Sequence, residues 1–324
     1  MRLLSYSVTT ALGSTPRVGA EAPDGRVLDL TLAFAAMLER TRNLDSRSAG
    51  AIAAAVLPER MIDFIGGGEF TLEHARQTLD WAQRSGDAEM AWELFSENNR
   101  LPVLPEPPLL RDFMAFEEHL KNIYPQLGRE IPPEWYNLPV YYKGNPGHLG
   151  AHGAAVAIPD YCENFDFEFE FAAIIGRGGA NIAPEEALDH IYGYTIYNDF
   201  SARDIQMREM SVGLGPAKGK DFDGAHVFGP VIVTRDEIND VYGLSMNARV
   251  NGRDWCTAYT GSMHWRFEDM IAHASRSETL RVGEIFGSGT AGGGSAAERG
   301  ESLKRGDTVA LTIEGIGTLE NRIV

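Results

Sequence analysis

Cysteine is nearly absent. Cys162 and Cys256 are the only two in 324 residues, so a disulfide framework is excluded and a reducing, cytoplasmic setting is the expectation. No apolar run approaches the ~20 residues of a membrane span. The N-terminal stretch Met1–Val8 reads as a first strand, not a signal peptide. Positive charge is scarce too: 29 Lys and Arg face 46 Asp and Glu, a formal net charge of −17. That balance argues against nucleic acid and anionic membranes as partners. It also means that an anionic substrate has to be met by a few locally placed cations. The patterns Gly-x-x-x-x-Gly-Lys-Ser/Thr, His-Glu-x-x-His, Gly-x-Ser-x-Gly and Cys-x-x-Cys are all missing, as are internal repeats. The glycine-rich Gly287–Ser295 is therefore not a phosphate loop.

What is present is the composition of a globular protein, 44% hydrophobic and 23% charged. The length suits one large or two ordinary domains. Residues 1–100 read as a smaller α/β module. Strands Arg2–Val8 and Arg17–Leu30, turning at Asp24-Gly25, precede helices at about Thr31–Arg40, Ser46–Leu57 and Leu72–Arg84, with Thr31 and Thr71 as caps. Residues 101–109 carry prolines at 102, 105, 107 and 108 and read as an extended linker. Residues 110–324 hold more glycine, more aromatics and many short strand signals. Pro184–Tyr192 reads as a helix, Asn251-Gly252 as a hairpin turn, and Val309–Ile313 with the segment after Gly317 as the last two strands.

The densest chemical signal is Phe165-Asp166-Phe167-Glu168-Phe169-Glu170-Phe171. At a two-residue period the rings share one face and the acids the other. Neighbouring acids on one face then lie roughly 7 Å apart, at about 3.3 Å of rise per residue. Such an array either faces water or coordinates a hard divalent cation through its oxygens. Five further segments concentrate polar groups: Arg111–His119, Leu138–Asn145, Tyr194–Gln206, Leu214–Asp223 and Phe286–Gly292. Within them Asp112 is either a helix cap or a ligand, and Asp199, at a strand end before a helix starting at Arg203, is open to the same two readings. Lys220 can serve an anionic or polarised oxygen, and Thr290 sits where glycines let the backbone approach a ligand.

Together these segments resemble the fumarylacetoacetate hydrolase family. The string Asn198-Asp199-Phe200-Ser201-Ala202-Arg203-Asp204-Ile205-Gln206, the Glu168-x-Glu170 pair, Gly219-Lys220-x-Phe222 and Gly287-Ser288-Gly289-Thr290 occur in that family's order. The likeness covers residues 110–324 well and the first hundred loosely. It implies an α+β fold, a mixed β-sandwich roll with the N-terminal module attached, a homodimer, and a divalent cation, Mg²⁺ most of all, with Ca²⁺ or Mn²⁺ as alternatives. By matched position Asp112, Glu168, Glu170 and Asp199 would be the metal ligands and His119 the general base. Tyr142, Arg203, Gln206, Lys220 and Thr290 would contact a small oxo-acid substrate, with Lys220 and Gln206 steadying the oxyanion. The carboxylate partner of His119 cannot be placed, because Gly292–Gly300 does not align. Met114 and Met210 stand where the family usually has tyrosines, which favours a more apolar or bulkier acyl chain. Asn145–His152 reads as a loop near the site, with His148 and His152 outside the ligand set.

The resemblance implies metal-dependent C–C bond hydrolysis of a β-diketone or acylpyruvate-type acid, in aromatic catabolism or a secondary-metabolite pathway. The alternative is a 2-oxo acid decarboxylase, tautomerase or hydratase using the same metal and enolate. His119 inclines the expectation towards hydrolysis, where a water must be activated. A metal-stabilised binding or scaffold protein is a third reading, opposed by Lys220, Gln206 and Thr290 beside all four acids.

Overall fold

In a computed structural model, which describes every residue except Leu12, two large sheets, a two-stranded ladder of Phe165–Asp166 with Ser201–Ala202, and a set of helices enclose the core. The larger sheet has ten strands. Nine follow one path: Val27–Asp29, Gly13–Glu21, Arg2–Thr10, His226–Thr234, Ile191–Asp199, Phe169–Ile175, Ile285–Gly287, Leu110–Phe113 and Tyr141–Gly144. Leu149–Gly150 adds to it by pairing in parallel with His226–Thr234. Most neighbours are antiparallel; Ile285–Gly287 runs parallel to Leu110–Phe113. The second sheet has five strands, ordered Arg253–Tyr259, Ser245–Val250, Thr308–Ile313, Gly317–Ile323 and Ala155–Val156. Phe171, Val227 and Val231 of the large sheet share one apolar cluster with Met246, Leu311 and Leu319 of the small one. The fold is α+β, as expected.

Sheet and core both cross residue 100. Arg2 and Leu3 pair with Val233 and Ile232, and Leu3, Leu28, Phe34 and Leu57 pack with Leu110, Ile174 and Ile285. The proline-rich stretch forms no helix or strand and is anchored: Val103 and Leu104 are buried, and Ser5 Oγ donates to the Val103 carbonyl at 2.9 Å.

Several local expectations hold. Asn251 and Gly252 turn the hairpin with φ of 54° and 73°, which only residues tolerant of positive φ allow. Others need correction. The first helix is Leu30–Arg42, capped by Asp29 and not by Thr31, because the Asp29 carboxylate accepts from Leu32 N at 2.8 Å. The third predicted helix starts at Gly68, so Thr71 lies inside it. Pro184–His190 is a 3₁₀ turn, and Ile191 and Tyr192 already belong to the next strand.

The acidic alternation is not one strand. Phe165–Asp166 and Phe169–Ile175 are separate strands, broken where Glu168 N donates to the Asn198 side-chain oxygen at 3.2 Å. All four rings enter the core cluster, and Asp166, Glu168 and Glu170 are all buried. None of the three acids faces water. Among the described residues no helix is long and apolar enough to cross a membrane.

Candidate active site

Six side-by-side strands build the site, and their register decides what meets. Glu170 lies opposite Tyr197 on the strand that ends in Asp199, Asp199 is paired with His226, and Gly287 with Asp112, which in turn faces Tyr142. Gly287 sits between the strands of Glu170 and Asp112. A Cβ there would come within 2.8 Å of Asp112 Oδ1 and 2.9 Å of Glu170 Oε2, so the missing side chain is the space in which the two acids converge.

One oxygen each of Asp112, Glu170 and Asp199 lie within 4.8 Å of one another, and all three residues are buried. Asp112 is in a strand and caps no helix; the helix holding His119, Glu117–Ile123, begins after Phe116 without a side-chain cap. Asp199 ends its strand, while the following helix, Arg203–Ser211, is preceded by Ala202. Each of the three acids has its own environment. Burial, then the charge of Asp199, pushes the Asp112 carboxyl well above the usual range. Burial, then the charge of Asp112, does the same to Glu170. Burial also opposes ionisation of Asp199, but Lys220 and His226 outweigh it and hold that carboxyl below its ordinary value.

This donor set fits a hard cation. Asp112 Oδ1 and Glu170 Oε1 are buried without a hydrogen-bond partner, a costly arrangement that a divalent ion would relieve. The partnered oxygens are held in place. Gly289, at φ 76°, donates its N–H to Glu170 Oε2 at 2.9 Å, and Tyr142 donates to Asp199 Oδ2 at 2.7 Å.

Glu168 lies at the same chamber but outside the three-acid group, because cations occupy both its oxygens. Arg203 Nη2 donates to Oε1 at 2.6 Å, and Lys220 Nζ donates to Oε2. Burial would raise this carboxyl, but Arg203 and Lys220 outweigh it and bring the pKa down to about 2. Lys220 is buried and bridges Glu168 to Asp199. Burial disfavours its charge; the two carboxylates more than offset that and raise its pKa above the ordinary lysine value.

Arg203 is not a free cation. Its Nε donates to Asp166 Oδ2 at 2.8 Å and its Nη1 to Gln206 Oε1 at 3.0 Å. It therefore orients Glu168 and Gln206 while itself lining the outer side of the site, and leaves the Gln206 amide nitrogen to donate elsewhere. Asp166, the third acid of the alternation, holds Arg203 and accepts from Ala296 N at 2.6 Å.

His119 gains the partner that the sequence left unplaced. Its Nδ1 lies 2.8 Å from Glu298 Oε1, and Glu298 also accepts from Asn122 Nδ2 at 2.5 Å and Gly293 N at 2.7 Å. A carboxylate with that many donors makes Nδ1 the protonated nitrogen and leaves Nε2 as a base. Behind the acids is a second residue that sequence reasoning missed. Buried His226 places Nδ1 3.0 Å from Asp199 Oδ1 and 2.8 Å from the Tyr197 hydroxyl. Its single strand position offered no motif. His148 pairs with Asp223 at 2.6 Å and His152 accepts from Glu320 N at 3.1 Å; both lie outside the acid group.

Two connected chambers serve these residues. An inner one of about 230 Å³ is lined by Asp112, Glu168, Glu170, Tyr142, Lys220 and Thr290. An outer one of about 700 Å³ adjoins it, and Met114, His119, Glu168, Gln206 and Met210 line both. The thiols take no part: burial raises Cys162 to about 12 and Cys256 to about 11, far from a reactive thiolate.

Comparison with known proteins agrees with this architecture. The family profile "Fumarylacetoacetate (FAA) hydrolase C-terminal" matches residues 109–324. The oxaloacetate tautomerase YisK of Bacillus subtilis is 30% identical over 82% of this chain and 87% of its own. The mitochondrial oxaloacetate tautomerase fahd2 of Xenopus laevis is 31% identical over 100% of this chain and 90% of its own. Among solved structures, a fumarylacetoacetate hydrolase from psychrophilic Exiguobacterium antarcticum superimposes with a TM-score of 0.70 at 22% identity, covering 100% of this chain and 99% of that one. A fumarylpyruvate hydrolase from Pseudomonas aeruginosa, in complex with Mn²⁺ and pyruvate, gives 0.60 at 23% identity over 71% of this chain and 93% of its own. The chain belongs to the fumarylacetoacetate hydrolase family.

Proposed function

We propose that this protein is a divalent-metal-dependent tautomerase of oxaloacetate or a closely related 2-oxo acid, moving a proton between C3 and the C2 oxygen. What carries the reading is similarity across most of the chain to proteins named as oxaloacetate tautomerases. The preference for hydrolysis drawn from His119 loses its force on chemical grounds. A histidine base held by a carboxylate takes a proton from an activated C–H as well as from water.

Asp112, Glu170 and Asp199 would hold the ion, with Glu168 beside them. A bound Mg²⁺, or Mn²⁺ or Ca²⁺ in its place, would supply Lewis-acid polarisation of the 2-oxo group. The chain's own groups do the rest. Lys220, Gln206 and Thr290 receive the substrate's carboxylate and carbonyl oxygens in the inner chamber. His119 Nε2 takes the C3 proton, and Glu298 holds the ring in the required tautomer. Arg203 keeps Glu168 and Gln206 in place. A reducing cytoplasm suits the two free thiols.

A second reading, C–C hydrolysis of an acylpyruvate, is favoured by one observation: His119 lines both chambers, where its base could equally serve a water molecule. The test is an ultraviolet assay with Mg²⁺, on freshly dissolved enol-oxaloacetate and on acylpyruvates, for wild type and His119→Ala. Faster loss of the enol signal with oxaloacetate conserved, and its absence in the variant, supports the tautomerase. Splitting of acylpyruvates into two acids, with no effect on oxaloacetate, replaces it with the hydrolase.

A further inference from the structure

Oxaloacetate is a four-carbon diacid, and ligand pockets for drug-sized molecules run from roughly 300 to 1,000 Å³. The inner chamber, at about 230 Å³, is the size for a small acid; the outer one, at about 700 Å³, is left without an occupant. Its wall is apolar. Leu120 and Ile123 come from the helix carrying His119, Leu127 from the turn after it, and Met207 and Met210 from the Arg203–Ser211 helix, with Met114 at the throat. Three of these six are methionines, flexible side chains that repack around varied apolar ligands. Apolar exposure continues past Met210, with Val212 and Leu214 each 83% exposed.

The charges at the chamber discriminate further. Beyond the paired Glu168 and Arg203, its lining holds Glu163, Asp204 and Glu301 against one further guanidinium, that of Arg129, and the whole chain carries −17. A second carboxylate at the far end of a substrate is repelled there; a neutral hydrocarbon is not.

We propose that the outer chamber binds the apolar tail of 2-oxo monocarboxylic acids longer than oxaloacetate, the 2-oxo acid head occupying the inner chamber, and that the same site enolises them. This rests on the tautomerase reading and names its wider substrate class. The step balances without a co-reactant. The C3–H bond breaks and its proton passes to His119 Nε2. The electron pair becomes the C2–C3 double bond, and the C2 oxygen takes up a proton. Reversal returns a solvent proton to C3, and nothing is oxidised or reduced.

The experiment is proton NMR in D₂O with the Mg²⁺-loaded protein, following loss of the C3 proton signal. The compounds are 2-oxobutanoate, 2-oxohexanoate, 2-oxooctanoate and, at equal length, 2-oxooctanedioate. The expected kcat/KM rises about three- to fourfold per added methylene, and the dioate falls at least about tenfold below 2-oxooctanoate. Met207→Glu, at a position 36% exposed, flattens the series. A series that is flat or falls with length, or a dioate equal to 2-oxooctanoate, overturns the proposal. Ketonisation of enol-oxaloacetate in the same preparation reports separately on the parent reading: its presence beside a flat series removes only the tail site, and its loss with no exchange removes both.

Discussion

His119 Nδ1 and Glu298 Oε1 lie 2.8 Å apart across 179 residues of chain. The contact leaves His119 Nε2 as the only basic nitrogen of the ring, and both chambers reach that residue. His119→Ala is expected to lower kcat by about 10²–10⁴-fold, with Mn²⁺ affinity by calorimetry unchanged, since His119 lies outside the acid group. Glu298→Gln, which can turn an amide N–H towards Nδ1 and select the wrong tautomer, should cost at least about tenfold in kcat. A Glu298→Gln enzyme of full activity would make the pair structural.

His226 supports Asp199 from behind. Nδ1 cannot give its proton to Asp199 and accept from the Tyr197 hydroxyl at once, and Nε2 is buried without a partner. A buried bare lone pair costs less than a buried unpaired N–H, which favours Nδ1–H donating to Asp199. His226→Leu should therefore weaken Mn²⁺ binding by about 10- to 100-fold, as loss of a ligand's supporting contact does. Calorimetry on the folded variant decides; an unchanged Kd removes His226 from the site.

Much of this was legible in the sequence, and the failures have physical causes. Asp112, Glu168, Glu170 and Asp199 come forward as a set through the order of the family's motifs; read singly, Asp112 and Asp199 are each open to a helix cap as well. Glu168 belongs to that set, but whether an acid meets a metal or a cation depends on which loops fold over it, here those of Arg203 and Lys220. Glu298 lies in a glycine-rich turn, Gly292–Gly300, where no periodicity constrains the backbone. Asp29, not Thr31, caps the first helix, and its strand pairing with Gly19 also brings its carboxylate within 2.6 Å of Arg17. Long-range register of that kind leaves no local trace.

The metal-free protein should show an inverse pH dependence at the acid group. Asp112 and Glu170 are raised in the folded state, chiefly by burial. Between their ordinary and raised values the folded protein binds more protons than the unfolded one, so their contribution to stability falls as pH rises. Glu168, lowered to about 2, acts in the opposite sense, and its contribution is lost only as pH falls through the acid range. Asp112→Asn should raise the Tm of the metal-free protein more at about pH 8 than near pH 5 and abolish stabilisation by Mg²⁺. Equal shifts at both pH values would show that Asp112 is not held protonated by its surroundings.

Gly287 offers the sharpest separation between site and scaffold. Its strand pairs with Ala172 on one side and Asp112 on the other, and added bulk meets only the site. The nearest atoms to a methyl group placed on Gly287 are Asp112 Oδ1, Glu170 Oε2 and Tyr197 Cε1, the last at 2.9 Å. Contacts that close force at least one carboxylate aside, and backbone hydrogen bonds on both edges leave the strand little freedom to yield. Gly287→Ala is therefore expected to weaken Mn²⁺ binding by about 10²-fold or more, beyond the loss of one supporting contact, and to abolish tautomerisation. Unfolding of the metal-free variant should shift little, since overpacking typically costs about 1–3 kcal/mol and displacing a crowded pair of carboxyls offsets part of that. Calorimetric titration with Mn²⁺ beside thermal unfolding of the metal-free protein tests both halves. A variant that unfolds like wild type and binds Mn²⁺ with wild-type affinity would place the metal elsewhere than between Asp112 and Glu170.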